Sequence, residues 1–391
     1  MRRLERVVVV GNGIAGLTAS DSLRAAGFEG DLTIVGDESH PPYSRPALSK
    51  AALLDGGDLA SHHLPAATHE ATELLGASAA RLDADRKVVF LDDGTDLPYD
   101  AVVIASGSRA RRLGSGDPAR QEAEELTLRS LDDALTLRRR LAAKPSVVVV
   151  GGGALGMEIA SGCLAAGCEV TLAARDRPLL GQLGPYLSEV FLLAAGRSGL
   201  KFAPSRAVGL RDAGGHALVE LADGSFLEAE LVVSAIGDEP NVEWLSTSGL
   251  LTGGTLEVDT RGRLRPDVVA AGDVAAFSTR RGIRRVPLWT SAIEQGKIAG
   301  ASLVKGDDAP ELDFQPYFWT EQFGLNLKAS GFLPLEGGPE LLEGDPGDGS
   351  ALMRWSHDDG SGTAVALNYR IPVPRLRRLG GAAPSVGVRV C

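Results

Sequence analysis

The hydrophobic pattern of the chain occurs twice. Residues 7–10 and 147–150 are each an unbroken run of four valines, followed by Gly-x-Gly-x-x-Gly and an alanine- and leucine-rich stretch that closes at a glycine. A short apolar run bounded by turn residues suits a strand buried on both faces. The stretch behind it suits a helix. Each helix gives way to a second β-rich run, residues 31–35 in the first copy and 169–172 in the second. Two strand–helix–strand units, each with its own glycine turn, are expected.

Between the copies, residues 86–91 and 97–104 alternate or run apolar as strands do, and 121–143, rich in Leu, Arg and Glu, reads as a helix leading into the second copy. Beyond it the pattern predicts strands over 217–221, 226–235 and 268–271, and a helix over 290–303. Residues 337–349, dense in Gly, Asp and Pro, mark a loop inside a last, smaller unit starting near Leu312. The expected fold class is α/β, with two Rossmann-like nucleotide-binding folds, one inserted in the other, and a C-terminal α+β domain. The expected boundaries are 1–114 with 237–311 for the first fold, 115–236 for the inserted fold and 312–391 for the last domain.

Composition narrows the class. At 391 residues the chain is long for one domain, and 44% hydrophobic with 23% charged residues can bury real cores. Its 49 glycines against 5% aromatics favour many tight strand-to-helix turns over an all-β sandwich. A formal charge of −11 argues against a nucleic-acid binder, whose surface must neutralise phosphates, though a local basic patch is compatible with it. Cys163, Cys168 and Cys391 cannot build a disulfide framework, and the apolar runs are too short to span a bilayer. A cytoplasmic protein is expected. The histidines show no ligand spacing tied to carboxylates or cysteines, so no metal site is expected.

In the two turns, Gly11 and Gly151 allow the tight bend, Gly13 and Gly153 let a pyrophosphate approach the backbone, and Gly16 and Gly156 let helix and strand pack closely. Ile14 and Ala15, like Ala154 and Leu155, then open helices whose N–H groups and positive end suit a phosphate. An acid about twenty residues after such a turn binds a ribose. The first copy ends its second strand in Gly36-Asp37-Glu38, so Asp37 is available for a ribose or stands as a solvated strand-end charge. The second copy ends in Ala173-Ala174-Arg175, with no acid at the expected place. Arg175 suits a 2′-phosphate, a lean towards NADPH over NADH, or is a plain surface charge.

Five further segments follow in order. They are Pro-Tyr-Ser-Arg-Pro-Ala-Leu-Ser-Lys at 42–50, Ala-Ser-Gly-Ser-Arg at 105–109, Ala-Ile-Gly-Asp-Glu-Pro-Asn at 235–241, Ala-Gly-Asp-Val-Ala at 271–275 and Pro-Tyr-Phe-Trp-Thr-Glu-Gln at 316–322. Together they resemble the FAD-dependent pyridine nucleotide-disulfide oxidoreductases, and among them the ferredoxin reductases that serve oxygenases and cytochromes P450. The resemblance implies FAD at the first turn, with Asp37, Arg45, Lys50, Ala105, Ser106, Gly107, Arg109, Gly237, Gly272, Asp273, Trp289 and Trp319 around it. It implies NADH or NADPH at the second turn, with Glu158 and Arg175. By the same resemblance Lys50 lies near flavin N5 with Glu158 close by, and the helix starting near Thr290 points its positive end at the flavin. On the residues alone, Glu158 is an ordinary first-turn helix acid. Trp319 is implied beside the isoalloxazine, while aromatic packing alone fits a core residue equally.

Many relatives use a cysteine pair near the flavin, but residues 1–162 hold no cysteine. Cys163 and Cys168 lie in the other fold and read as packing residues, which disfavours disulfide reductase and cysteine peroxidase chemistry. The expected function is FAD-dependent NAD(P)H:ferredoxin oxidoreductase, feeding an oxygenase through a small acidic iron–sulfur protein. Such a partner calls for a basic rim, from Arg280, Arg281, Arg284 and Arg285 or from Arg370, Arg375, Arg377 and Arg378, unless these are only solvated charge. The tail at 380–384 departs from the terminal helix of the family. The alternatives are a flavoenzyme acting directly on a small organic molecule and a redox-sensing binding protein.

Overall fold

Both valine runs become central strands. Arg6–Val10 pairs in parallel with Asp31–Gly36 on one side and Ala101–Ile104 on the other. Ser146–Val150 pairs likewise with Glu169–Ala173 and Leu231–Ser234. A parallel strand flanked on both sides and covered on both faces has no solvent side, which is why these positions carry valine without alternation. The computed structural model describes residues 4–50, 53, 62–64, 68–114, 123–279, 281–313, 315–358 and 360–381. They fall into two compact units, Met1–Pro46 with Gly57–Arg109 and Asp238–Phe314, and Ala47–Gly56 with Ala110–Gly237 and Gln315–Cys391.

The first unit is built on a six-stranded sheet in the order Arg263–Arg265, Val268–Ala270, Ala101–Ile104, Arg6–Val10, Asp31–Gly36, Thr72–Leu75. The two helices Ile14–Ala25 and Trp289–Lys305 pack against each other at backbone distance. A Cβ on Gly296 would stand 2.6 Å from the Ala15 carbonyl oxygen, and one on Gly300 2.3 Å from that of Ala19. Only glycine permits that approach.

The second unit holds a five-stranded sheet in the order Lys201–Ala203, Glu169–Ala173, Ser146–Val150, Leu231–Ser234, Glu125–Leu126. It also holds a separate antiparallel sheet, Tyr317–Gln322, Leu325–Ser330, Gly362–Leu367, Ser350–Ser356, Glu340–Asp345, closed by the helix Val373–Gly380. Residues 47–50 and Leu53, expected in the first fold, belong here. Leu53 lies over the helix Ala154–Ala165, where a Cβ on Gly162 would come within 3.3 Å of its side chain.

Four expected elements differ. The expected strand 97–104 is two strands, Asp96–Pro98 and Ala101–Ile104, in different sheets. The helix expected from residue 121 begins at Leu131, because the side chain of Ser130 and that of Asp133 cap each other's backbone N–H groups, and Glu125–Leu126 is a strand beside Leu231–Ser234. The expected strand 226–235 is two strands, Phe226–Ala229 and Leu231–Ser234, in different sheets. The expected loop 337–349 contains the strand Glu340–Asp345, an exposed edge whose polar composition hides it. Among the described residues no helix is long and apolar enough to cross a membrane.

Candidate active site

In the first unit the glycine turn joins the C-terminal end of Arg6–Val10 to the helix Ile14–Ala25. Gly11 has φ +117°, and a Cβ there would lie 2.0 Å from the Ala105 carbonyl oxygen. Gly13 is different: among the described residues nothing stands within 4 Å of where its Cβ would be, so its backbone is open to a ligand. Gly16 packs on the Gly11 carbonyl, where a Cβ would stand at 1.9 Å. Gly272 (φ +83°) sits against the Ala15 methyl group, and its N–H donates to the buried Gln295 Oε1 at 2.8 Å.

The neighbouring predicted residues converge on this end of the sheet. Ser106 Oγ donates to the Asn241 carbonyl at 2.8 Å, and Asn241 Nδ2 returns a bond to the Ser106 carbonyl at 2.9 Å. Asn241 N–H donates to the Gly107 carbonyl at 3.0 Å. Ser108 Oγ donates to Asp273 Oδ2 at 3.4 Å, and Arg285 Nε to the Asp273 carbonyl at 2.5 Å. This is where parallel α/β sheets take their ligands. The cradle fits a dinucleotide such as FAD: an uncluttered Gly13, a helix N-terminus behind it and a carboxylate at Asp273.

The other predicted side chains spread out. Asp37 is exposed, whereas Glu38 beside it accepts from Tyr43 OH at 2.5 Å and pairs with Arg45. Burial works against the Arg45 charge, but Tyr43, Glu38 and Asp37 outweigh it and hold its pKa above the usual value. Arg109 pairs with Glu239 at 2.9 Å and Glu243 at 2.7 Å. Trp289 opens its helix half-buried. Gly237 lies in the second unit, where its carbonyl accepts from Arg111 N–H at 3.0 Å.

The second turn repeats the first. Gly151 has φ +115°, with a would-be Cβ 2.3 Å from the Ala235 carbonyl oxygen, and Gly156 packs on the Gly151 carbonyl. Leu155 is exposed, and the Ala154 N–H donates to Gln182 Oε1 at 2.9 Å. Val10 pairs with Val35 as Val150 pairs with Ala173, so Asp37 and Glu38 correspond to Arg175 and Asp176. An acid therefore does stand here, one residue past the place where the spacing looked for it. Arg175 is 74% exposed and pairs with that acid at 2.8 Å.

Glu158, on the second helix, is the centre of a buried polar cluster. It is 6% exposed and accepts from Lys50 Nζ at 3.0 Å, from Ser49 Oγ and from Thr320 Oγ1 at 2.6 Å. Gln322 Nε2 donates in turn to Thr320 Oγ1 at 2.8 Å. A buried ion pair persists when hydrogen bonds satisfy its remaining lone pairs, and here they do. Alternate strand residues face opposite ways. Thr320 therefore reaches Glu158, with Gln322 on the same face bonded to Thr320, while Trp319 lies half-buried beside Tyr317, ring centroids 6.0 Å apart, on the core of the C-terminal sheet. The structure brings Lys50 and Glu158 together as expected and adds Ser49, Thr320 and Gln322. These three were in view only as members of the quoted motifs.

Cys163 is fully buried and burial pushes its thiol up to about 12; burial also raises that of Cys168. Both are free. Such thiols are inert packing groups at neutral pH. The expected basic rim is thinner than the sequence suggested. Arg285 is committed to Asp238 and Asp273, and Arg375 pairs with Glu343 at 2.8 Å, while Arg284, Arg370 and Arg378 are exposed. Arg280 lies outside the described residues.

Two glycine turns at two parallel sheets define a dinucleotide oxidoreductase, and the sequence matches the pyridine nucleotide-disulphide oxidoreductase family over residues 5–296. The chain belongs to that family. It is 33% identical over 361 residues, 90% of this chain and 87% of the relative, to the ferredoxin–NAD(+) reductase component of the p-cumate 2,3-dioxygenase system of Pseudomonas putida. It resembles the crystal structure of the ferredoxin reductase for the CYP199A2 system from Rhodopseudomonas palustris, at TM-score 0.85 and 29% identity, covering 93% of this chain and 91% of that one. It is similar also to the reductase in the covalent putidaredoxin reductase–putidaredoxin complex, at TM-score 0.85 and 27% identity, covering 96% and 92%. The lean towards NADPH finds no support: Arg175 is tied to Asp176, and the Pseudomonas relative is named for NAD(+).

Proposed function

We propose that the chain is the FAD-dependent NAD(P)H:ferredoxin oxidoreductase of an oxygenase system, passing electrons to a small acidic iron–sulfur protein, and that it acts in the cytoplasm. The observation that carries this reading is the duplicated glycine turn, with an open Gly13 in one copy and a buried Glu158–Lys50 pair built onto the helix of the other. FAD belongs to the first turn, with Asp273 and Glu38 for its sugar and ribityl hydroxyls. The nicotinamide donor belongs to the second, with Asp176 for its ribose, which favours NADH. When bound, FAD supplies the change from hydride to single electrons, chemistry that no side chain offers. The protein's part is to hold each dinucleotide at a helix N-terminus, and within the second unit to keep a buried Lys50–Glu158 charge pair. Among the described residues, Arg284 in the first unit and, separately, Arg370 and Arg378 in the second are exposed cations suited to steering an acidic partner.

The test is a purified protein with a flavin spectrum, titrated with NADH and NADPH, then assayed for cytochrome c reduction with and without a ferredoxin. Bleaching of the flavin by NADH and strong dependence on ferredoxin are expected. Turnover that no ferredoxin accelerates, but a small organic molecule does, would replace this reading by a direct reductase.

A further inference from the structure

Among the described residues, the second glycine turn carries a side chain that the first lacks. A helix leaves its first N–H groups without intrahelical partners, and neither Gly13 nor Gly153, the residues that precede the two helices, has a side chain to offer. At the second turn the Gln182 carboxamide fills that role from outside: its Oε1 accepts the Ala154 N–H at 2.9 Å and lies 3.7 Å from where a Gly153 Cβ would be.

Gln182 is held there by its own segment. Leu179 takes φ +63°, a costly conformation for a bulky side chain, and its N–H donates to the Gly152 carbonyl at 2.7 Å. Ser188 Oγ binds the Pro178 carbonyl at 2.7 Å, and Leu183 is fully buried. The backbone of 178–183 is thus fastened over the turn, and a half-buried amide is aimed at the helix end.

We propose that Gln182 is an internal stand-in for a pyrophosphate oxygen, capping the helix Ala154–Ala165 until a dinucleotide displaces it. The inference rests on the reading of the second turn as the donor site. One N–H cannot serve the amide oxygen and a phosphate oxygen in the same place, so the ligand binds against the cost of removing Gln182. The contrast between the turns follows from their use: the resident FAD meets an open Gly13, and the donor that enters and leaves at every turnover meets a cap.

The experiment is calorimetric titration of NAD+ into the flavin-loaded protein, wild type, Gln182→Ala and Gln182→Glu, with adenosine as a probe that carries no pyrophosphate. Gln182→Ala should tighten NAD+ binding about fivefold, the ordinary worth of a helix cap. Gln182→Glu should weaken it more than about tenfold, because a carboxylate suits the positive helix end better and repels the pyrophosphate. Adenosine affinity should not change in either variant. Weaker or unaltered NAD+ binding in Gln182→Ala, or an equal change for adenosine, overturns the inference and leaves the proposed function standing. Absence of NAD+ binding to the wild type overturns both.

Discussion

The helices behind the two glycine turns align residue for residue, and their differences separate scaffold from chemistry. Gly16 and Gly156 both pack on the first glycine's carbonyl, and both central strands are buried valine. Two positions on, the first helix has Thr18, whose hydroxyl donates to the Ile14 carbonyl of its own helix at 2.7 Å. The second has Glu158, whose carboxylate leaves the helix to bind Ser49, Lys50 and Thr320. The repeated positions set turn geometry and close packing. The unlike one is where a buried charge has been placed, and burying a charge is unfavourable unless it is paired. Glu158 is the fifth residue of its helix, past a first turn that holds no acid, so it is not the first-turn helix acid expected from the sequence, and the asymmetry of the two copies is what sets it apart.

A large expected effect breaks this contrast directly. Glu158→Ala leaves the Lys50 ammonium without its carboxylate and should lower stability by about 3–5 kcal/mol, measured by urea unfolding. Thr18→Ala, at the matching position, strands no charge and should cost about 1 kcal/mol, the ordinary figure for a point change. The double variant Lys50→Met, Glu158→Leu should regain most of the loss; if it is no better than Glu158→Ala, the pair is not what matters at this position.

Next come the glycines. Gly11→Ala forces a methyl group to within 2.0 Å of a carbonyl at φ +117° and should prevent stable folding of the first unit, whereas Gly13→Ala meets nothing and should fold. Its deficit should appear as weaker retention of FAD on gel filtration, since the methyl group stands where a phosphate approaches the backbone. If both variants fold and hold flavin equally, the division of labour between the two glycines is wrong.

Which parts of this were readable in the sequence follows from range. The turns were legible because strand, Gly-x-Gly-x-x-Gly and helix are contiguous, so local pattern and tertiary role coincide. The start of the helix at Leu131 was missed: Ser130 and Asp133 cap it, but the Leu- and Arg-rich composition drew the expected helix too long. The strand Glu340–Asp345 was missed as well, since an exposed edge has no apolar face to alternate. The Glu158 cluster draws on segments more than a hundred residues apart, and no local period announces it. Only the family motifs placed its members in view, and they pointed to Trp319 where the strand presents Thr320.

Smaller effects test those contacts. Thr320→Val removes one of the hydrogen bonds to Glu158 and should cost about 1–3 kcal/mol, while Thr320→Ser should restore nearly all of it. A like loss in both would mean that the methyl group, not the hydroxyl, is what the site uses. Asp176→Ala should raise the Michaelis constant for NADH about tenfold, and Arg175→Ala should leave it within about twofold, because only the acid has a ribose hydroxyl to bind.

The smallest effect concerns the cysteines, and the same alignment decides it. Cys163 corresponds to Leu23 and Cys168 to Phe28; all four are buried, and in each copy the second residue's N–H donates to the first residue's carbonyl at 3.0 Å. Thiols that take the places of Leu and Phe are packing groups, and burial accordingly holds that of Cys163 up at about 12. The sign of the pH dependence follows. An unfolded thiol ionises near its ordinary value of about 8.5, whereas the folded one stays protonated, so its contribution to stability is constant below that pH. It falls as the pH rises from there towards about 12. Iodoacetamide at pH 8 should therefore leave Cys163 unlabelled in the native protein and label it fully in urea, and flavin reduction by NADH should be unchanged by Cys163→Val. Rapid native labelling, or loss of flavin reduction in that variant, would give the thiol a chemical role that its position opposite Leu23 denies it.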